Sequence, residues 1–296
     1  MNTHHHTRYL TSIISFLFLL PLFSVEAFGQ QRPLITEDVD IIPPGSIRLE
    51  TGIDFLQRAK FPVSRLNGDL TNLGVIGLSV GLSPNVEFQI EGTIRQVLSI
   101  NSISGPSAVP LNFNPLTTNS TNDIGDFTLA AKIKLRAESE HAPSLGFRFG
   151  VQLPNSNQER GLGLNQTNAF GTVLMGKKFG EDGRFNTFGN LGLAILTAPT
   201  AGFTQNDVLL YGAAGIFRLT NRFNIAGEVN GRTNLRSGDA PLGTESQSQA
   251  RLGFQFKTSG LRFDLAGIAG LNQFSPRSGV TFGVTYDSPS IFTPAK

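Results

Sequence analysis

Alternation of apolar and polar residues with a period of two constrains the fold of this chain more than any other feature. In residues 127–135 every odd position is apolar, while Lys132, Lys134 and Arg136 occupy even positions. A period of two indicates β-strands with one apolar face, and no comparable stretch with helical periodicity follows residue 45. The sequence predicts about twelve strands. They lie in residues 47–55, 70–82, 86–95, 126–136, 144–153, 167–179, 185–197, 207–219, 223–232, 251–257, 261–272 and 280–287.

The links between these strands alternate between long and short along the chain. Transmembrane up-and-down barrels have short turns at one end and longer loops at the other. Because the first link is long and the number of strands is even, both termini fall on the side of the short turns. We therefore predict an all-β fold, a transmembrane antiparallel up-and-down β-barrel in the bacterial outer membrane with both termini periplasmic. The predicted long links are 58–68, 100–122, 154–166, 198–206, 235–246 and 273–278, and the short ones are 83–85, 138–143, 180–183, 220–221 and 258–260.

The N-terminal region is typical of a secretory signal. Its apolar stretch, Ile13–Phe23, is shorter than the roughly 20 residues that span a bilayer, and small residues follow at Ala27 and Gly29. The predicted organisation has four parts. These are a signal peptide (1–29), a periplasmic N-terminal segment (30–45), the β-barrel (46–287) and a periplasmic C-terminal tail (288–296).

The composition narrows the set of partners. The net charge is +2 and only 16% of residues are charged, which gives no general attraction to nucleic acid. Tryptophan is absent and there are three tyrosines, so an aromatic girdle at the membrane interface must consist of phenylalanine. We expect outer-membrane lipid, the barrel-assembly machinery and a small-molecule solute as partners, and no nucleic acid.

One catalytic motif occurs by pattern. Gly77–Gly81 (GLSVG) fits the nucleophile elbow of serine hydrolases, but strand alternation continues through it and no helix follows. The one histidine after the predicted signal is His141, in a short link, whereas this chemistry needs a histidine base beside the serine. With no cysteine, ligands for a transition metal are also scarce. We expect no enzyme, no metal and no cofactor.

Strand alternation turns many charged side chains toward the barrel interior. They form either a polar pore or a ladder of ion pairs that fills a narrow barrel. In the first case the electrostatic field of the pore selects solutes, and the excess of basic residues favours anions. The loop at 101–122 either folds inward or extends into solvent. The predicted lumen-lining residues are Arg48, Glu50, Asp54, Glu87, Glu91, Arg95, Lys132, Lys134, Arg136, Arg148, Glu228, Arg232, Arg251 and Lys257, with Arg262 and Asp264 on the same face.

Three stretches resemble a known family. Arg32–Asp38 (RPLITED), Gly125–Leu129 (GDFTL) and Leu145–Pro154 (LGFRFGVQLP) are similar to the bacterial outer-membrane family of phenol meta-cleavage pathway proteins, also described as outer-membrane transporters. The resemblance covers residues 32–287. It implies a porin-like barrel that admits small molecules, aromatic or hydrophobic, and it carries over no catalytic or binding residue. We therefore expect a channel or facilitator for small molecules. The alternative is a non-conducting structural or adhesive barrel that acts through its outer loops.

Overall fold

The computed structural model of the protein describes residues 32–200 and 205–293. The predicted signal peptide lies outside these ranges. The described residues form thirteen strands and two single-turn 3₁₀ helices, Gln158–Arg160 and Glu181–Gly183, and neither helix is long enough to cross a membrane. The strands are β1 Ile47–Phe61, β2 Leu66–Ser83, β3 Val86–Ile103, β4 Ser120–Asp123, β5 Thr128–Arg136, β6 Ser144–Gln152, β7 Asn168–Phe179, β8 Phe185–Thr197, β9 Gln205–Arg218, β10 Phe223–Asn234, β11 Gln247–Thr258, β12 Leu261–Gly270 and β13 Ser278–Asp287.

The strands form one closed antiparallel sheet. Strand β1 pairs on both sides, so that Leu49 lies opposite Leu78 of β2 and Tyr286 of β13. Strands β4 and β5 both pair with β3 and together make one wall strand, interrupted at residues 124–127. The wall therefore has twelve strands, as predicted, and closure leaves no unpaired sheet edge for hydrocarbon to meet.

The outer face of the barrel is apolar. Phe55, Val173, Leu191 and Phe254 are each more than half exposed although they sit in regular strands. Such a surface is stable against lipid and unfavourable in water.

A row of exposed phenylalanines lies near one end of the wall. Phe179, Phe185 and Phe217 are neighbours across β7, β8 and β9, and Phe223 of β10 packs on Phe256 with ring centroids 4.8 Å apart. The row has the composition expected of an interfacial girdle in a chain without tryptophan.

The short links lie together at that same end, which we call the short-link end. They are 84–85, 137–143, 180–184, 219–222 and 259–260, close to the predicted positions. The opposite, long-loop end carries 104–119, 153–167, 235–246, 271–277 and the described residues 198–200 of the link after β8.

The long link predicted at 58–68 is wrong. Strands β1 and β2 continue through it and leave only residues 62–65 as a turn. Two bulges explain the error, because Arg58 has φ 52° and Gly74 has φ 63°, and each left-handed residue shifts the alternation by one position. The fourth predicted strand, 126–136, is present as β5, which begins at Thr128, whereas β4 starts inside the predicted long link 100–122. Between β4 and β5, residues 124–127 make a single backbone hydrogen bond to β3, from Gly125 N to Thr93 O at 2.9 Å.

Candidate functional site

Residues 32–45, which we call the N-terminal segment, lie inside the barrel. Leu34 is buried against Phe188, Ile216 and Ala226 of three successive wall strands. The sequence predicts residues 30–45 as a periplasmic segment ahead of the barrel. The structure instead places residues 32–45 in the interior that the wall strands enclose. The segment makes no strand ladder, so its backbone needs other partners.

Polar wall residues supply those partners. The carboxylate of Glu228 accepts hydrogen bonds from Ile35 N and Thr36 N, the latter at 2.8 Å. Asn190 accepts from Glu37 N at 2.8 Å and donates to Glu37 O at 2.7 Å. These bonds satisfy the backbone of an irregular segment in a buried place and fix its position in the barrel.

Lys132 of β5 lies at the centre of a buried ion cluster. Its Nζ lies 3.2 Å from Glu37, 3.4 Å from Glu87 and 3.8 Å from Asp38, and its side chain is 0% exposed. A buried ammonium is tolerated only when carboxylates repay its lost hydration. Because two of the three carboxylates belong to the N-terminal segment, the cluster ties the segment to the wall.

Further ion pairs hold the segment on either side of Lys132. Asp40 accepts from Lys134 at 2.9 Å and from Lys178 at 2.7 Å. At the other end of the segment, Arg32 donates to Thr281 at 2.9 Å, and its guanidinium lies 3.6 Å from Asp264.

Arg148 of β6 also belongs to this network. Its guanidinium binds Glu91 at 2.5 Å and Gln89 at 2.7 Å, lies 3.7 Å from Glu37, and covers the ring of Phe170 at 5.1 Å.

Burial shifts the titration of the acidic residues in the segment. It raises the pKa of Asp38 to about 7, and it raises the pKa of Glu37 despite the nearby Lys132 and Arg148. Burial also acts to raise the pKa of Asp40, but the hydrogen bonds from Lys178 and Lys134 outweigh it and hold that pKa below its usual value. Asp40 therefore stays ionised, whereas Asp38 changes charge near neutral pH.

Most of the predicted lumen-lining residues lie in this interior. Three are exposed instead. Arg95 sits where the bulge at Gly74 switches the alternation and donates to Asn122, and Arg136 and Lys257 lie at strand ends, where Arg136 donates to Pro143 O. Those buried or half-buried are Arg48, Glu50, Asp54, Glu87, Glu91, Lys132, Lys134, Arg148, Glu228, Arg232 and Arg251, together with Arg262 and Asp264.

The interior is not filled toward the long-loop end. A chamber of about 450 Å³, which we call the central chamber, borders Ile35–Glu37 on the side of the long-loop end. Apolar side chains, among them Leu56, Phe170 and Tyr211, share its wall with Arg148 and other polar groups. A mixed lining of this kind suits a molecule with an apolar body and a few polar atoms.

A second cavity of about 170 Å³, the loop-side pocket, lies between the 62–65 turn and the long loops. Arg232 and Gln247 line both cavities, so the two adjoin. The loop predicted at 101–122 packs against the long-loop end of the barrel beside this pocket. There Phe113 joins Leu162 and Leu98 in an apolar cluster.

The serine motif lies inside β2. Ser79 is buried, whereas His141 is 90% exposed in the link between β5 and β6, so the structure does not bring the two together. The described residues contain no group of three acidic or histidine side chains arranged for a metal ion.

Strand glycines that face the N-terminal segment are the signal that sequence reasoning missed. A Cβ on Gly212 would overlap the side chain of Thr36, and one on Gly81 would overlap Pro43 O. Glycine in a strand costs stability unless another chain segment approaches closely. Together with the acidic stretch Glu37–Asp40 and the lysines of β5, these glycines mark where the segment lies.

A closed barrel with an apolar belt around a charged interior defines an outer-membrane β-barrel. The chain belongs to the family described as "Putative MetA-pathway of phenol degradation", whose model matches residues 30–287. A comparison with curated protein sequences gave no match.

Solved structures with a similar fold include an outer membrane channel from Pseudomonas putida F1. It has 15% identity and a TM-score of 0.56, over 85% of this chain and 98% of that one. The NanC porin is also similar, with 7% identity and a TM-score of 0.48 over 82% of this chain and 98% of that one.

Proposed function

We propose that the protein is an outer-membrane channel for small aromatic or hydrophobic molecules. The observation that carries this proposal is the central chamber, because a barrel with a purely structural role has no need for an interior space with apolar side chains beside charged ones. The adjoining loop-side pocket gives the chamber a route toward the long loops. The family description, which refers to phenol degradation, supports an aromatic solute.

In this proposal the short-link end faces the periplasm, as in other barrels of this class. The N-terminal segment then closes the periplasmic side of the chamber, and passage requires it to move. Outer-membrane lipid surrounds the apolar belt, and the assembly machinery inserts the barrel.

One observation favours the alternative, a non-conducting structural or adhesive barrel. The ion cluster around Lys132 occupies the interior beside Glu37 and Asp38, although a cavity of about 240 Å³ remains beside residues 32–35. The two functions differ in whether solute enters the cell when the segment is in place.

Uptake by intact cells tests the proposal. Lipopolysaccharide hinders the entry of apolar solutes, so radiolabelled toluene and phenol are offered to a heterologous Gram-negative host with and without the protein. We expect faster uptake with the wild-type protein, and still faster uptake with a variant that lacks residues 32–43. A heat-dependent shift on an unboiled gel shows that each barrel is folded. If neither folded barrel exceeds the empty host, the protein is not a channel for these solutes.

A further inference from the structure

We propose that Arg232 is the anion-binding point of a site at the junction of the loop-side pocket and the central chamber, and that this site selects aromatic monocarboxylates of the size of benzoate. This inference rests on the proposed channel function and names one solute class for it. Arg232 lies near the long-loop end of β10 and lines both cavities.

Arg232 differs from the other interior cations in its partners. Its guanidinium donates to two backbone carbonyl oxygens, Glu245 O at 3.0 Å and Gly243 O at 3.3 Å. In the described part of the chain no carboxylate oxygen lies within 4.0 Å of it, whereas Arg148 has two carboxylates within that distance and Arg251 has one. A guanidinium with carbonyl partners alone keeps its positive charge available for an anion.

The charged groups near Arg232 leave a positive electrostatic potential in the loop-side pocket. The Glu245 carboxylate is buried and accepts Gly243 N with both oxygens, each at 3.0 Å, so it is held by the backbone of its own loop. Lys60 also lines the pocket, and its ammonium donates to Gln273 O. Two cations and one carboxylate therefore surround the loop-side pocket.

Two further donors lie along the same route. Gln158 lines the loop-side pocket and Asn230 lines the central chamber. In the described ranges their Nε2 and Nδ2 atoms have no acceptor and are closed off from the cavities, so a rotation of the side chain brings each of them to a ligand. A buried donor without an acceptor costs stability, which an acceptor oxygen on a ligand would recover. Asn230 lies two positions before Arg232 on the inward face of β10, so donors occur on both sides of the arginine.

The size and lining of the pocket select the body of the ligand. Phe61, Val63, Val109 and Leu162 give it an apolar wall around about 170 Å³. A dry apolar cavity of roughly 150 Å³ holds one benzene ring. A single ring with a carboxylate therefore fits, with the ring in the pocket and the carboxylate at Arg232.

Calorimetric binding to the full barrel in detergent tests this site. The ligands are benzoate and benzyl alcohol, which share the ring and differ in charge. For Arg232→Gln we expect benzoate affinity to fall by about tenfold or more, the loss of one charge-assisted bond, while benzyl alcohol changes little. Arg232→Lys should retain part of the benzoate affinity. The matched control is Arg236→Gln, the same change at an exposed position of the adjoining loop, which should leave both ligands unaffected.

The outcomes separate this inference from the channel proposal. Benzoate binding that is absent in the wild type, or equal in wild type and Arg232→Gln, overturns the site, as does an equal loss of both ligands in a barrel that is folded on an unboiled gel. If Arg232→Gln fails to fold, Gln158→Leu takes its place and should weaken both ligands, and unchanged binding overturns the site. Binding that depends on Arg232 without any uptake by cells keeps the site and refutes the channel. Toluene uptake by cells without benzoate binding that depends on Arg232 keeps the channel and refutes the site.

Discussion

The Nζ atom of Lys132 lies 3.2 Å from Oε2 of Glu37, which joins wall strand β5 to the N-terminal segment inside the barrel. The sequence alone predicts that Lys132 faces the lumen, either in a polar pore or in a ladder of ion pairs. In the structure its charge is used to hold a segment of the same chain. Around Lys132 the interior therefore matches the predicted ladder of ion pairs.

Replacing Lys132 by methionine should release the N-terminal segment. The change leaves Glu87 without its cation and removes the nearer of the two cations of Glu37, which keeps Arg148 at 3.7 Å. Removing one partner of a buried pair costs about 3–5 kcal/mol. We expect a lower unfolding temperature in detergent and a larger single-channel conductance. Lys177→Met is the control, because that lysine pairs with Glu138 at a partly exposed site. Equal conductance in wild type and Lys132→Met would contradict the role given to this contact.

Docking of the segment should weaken as the pH rises from 5 to 8. The docked Asp38 has a pKa of about 7 because of burial, against 3.8 when released, so the docked state holds a proton that the released state has lost. Glu37 acts in the same direction, and the lowered pKa of Asp40 matters only below about pH 4. A higher pH therefore favours release.

Single-channel recording at the two pH values in the same salt measures this effect. Open probability should increase at pH 8, and Asp38→Asn should reduce the increase because asparagine resembles the protonated acid. Glu140→Gln, at an exposed turn position, serves as the control for loss of one carboxylate. A pH response that Asp38→Asn leaves intact would assign the titration to another group.

Filling the space at Gly212 should also displace the segment. A leucine there would occupy the volume of the Thr36 side chain, and overpacking forces one of the two to move. We expect higher conductance in a barrel that still shifts on an unboiled gel. Gly267→Leu makes the same change at an exposed position with open space around it and should conduct like the wild type. Equal conductance in Gly212→Leu and Gly267→Leu would contradict the role of the N-terminal segment in closing the channel.

Leu162 should hold the 153–167 loop against the barrel mouth. It is buried in the cluster with Leu66 and Leu98, so Leu162→Ala should cost about 2 kcal/mol of local stability, the lower end for a buried leucine. Arg160, two residues earlier, is exposed and should become a faster site for trypsin. Leu116→Ala, at an 84% exposed position, is the comparison. No change in cleavage rate would mean that the cluster does not restrain the loop.

The wall could be predicted from the sequence because the bilayer imposes its pattern. Lipid on one side and polar groups on the other force a period of two on residues such as those of β5, and closure follows from the absence of a tolerated edge. The ends of β1 and β2 could not be predicted in this way. Beyond the membrane the alternation no longer has a constant cause, and the bulges at Arg58 and Gly74 change its phase.

The N-terminal segment was missed for a different reason. It has no period, and its partners are spread along the sequence from Asp54 to Thr281. Of the predicted interior charges, Arg95 is misplaced by the bulge, and Arg232 could be predicted to face the interior but not to have backbone partners alone. Pairing of that kind depends on which side chains meet across the barrel, which alternation does not encode.

The contacts of Arg32 also bear on the order of assembly. This residue of the N-terminal segment contacts Thr281 of β13 and Asp264 of β12, and its guanidinium also lies 3.8 Å from Asp54 of β1. Its binding place exists only after the last strands have joined the first. Binding of Arg32 at this place therefore requires that β13 has already paired with β1 and closed the barrel.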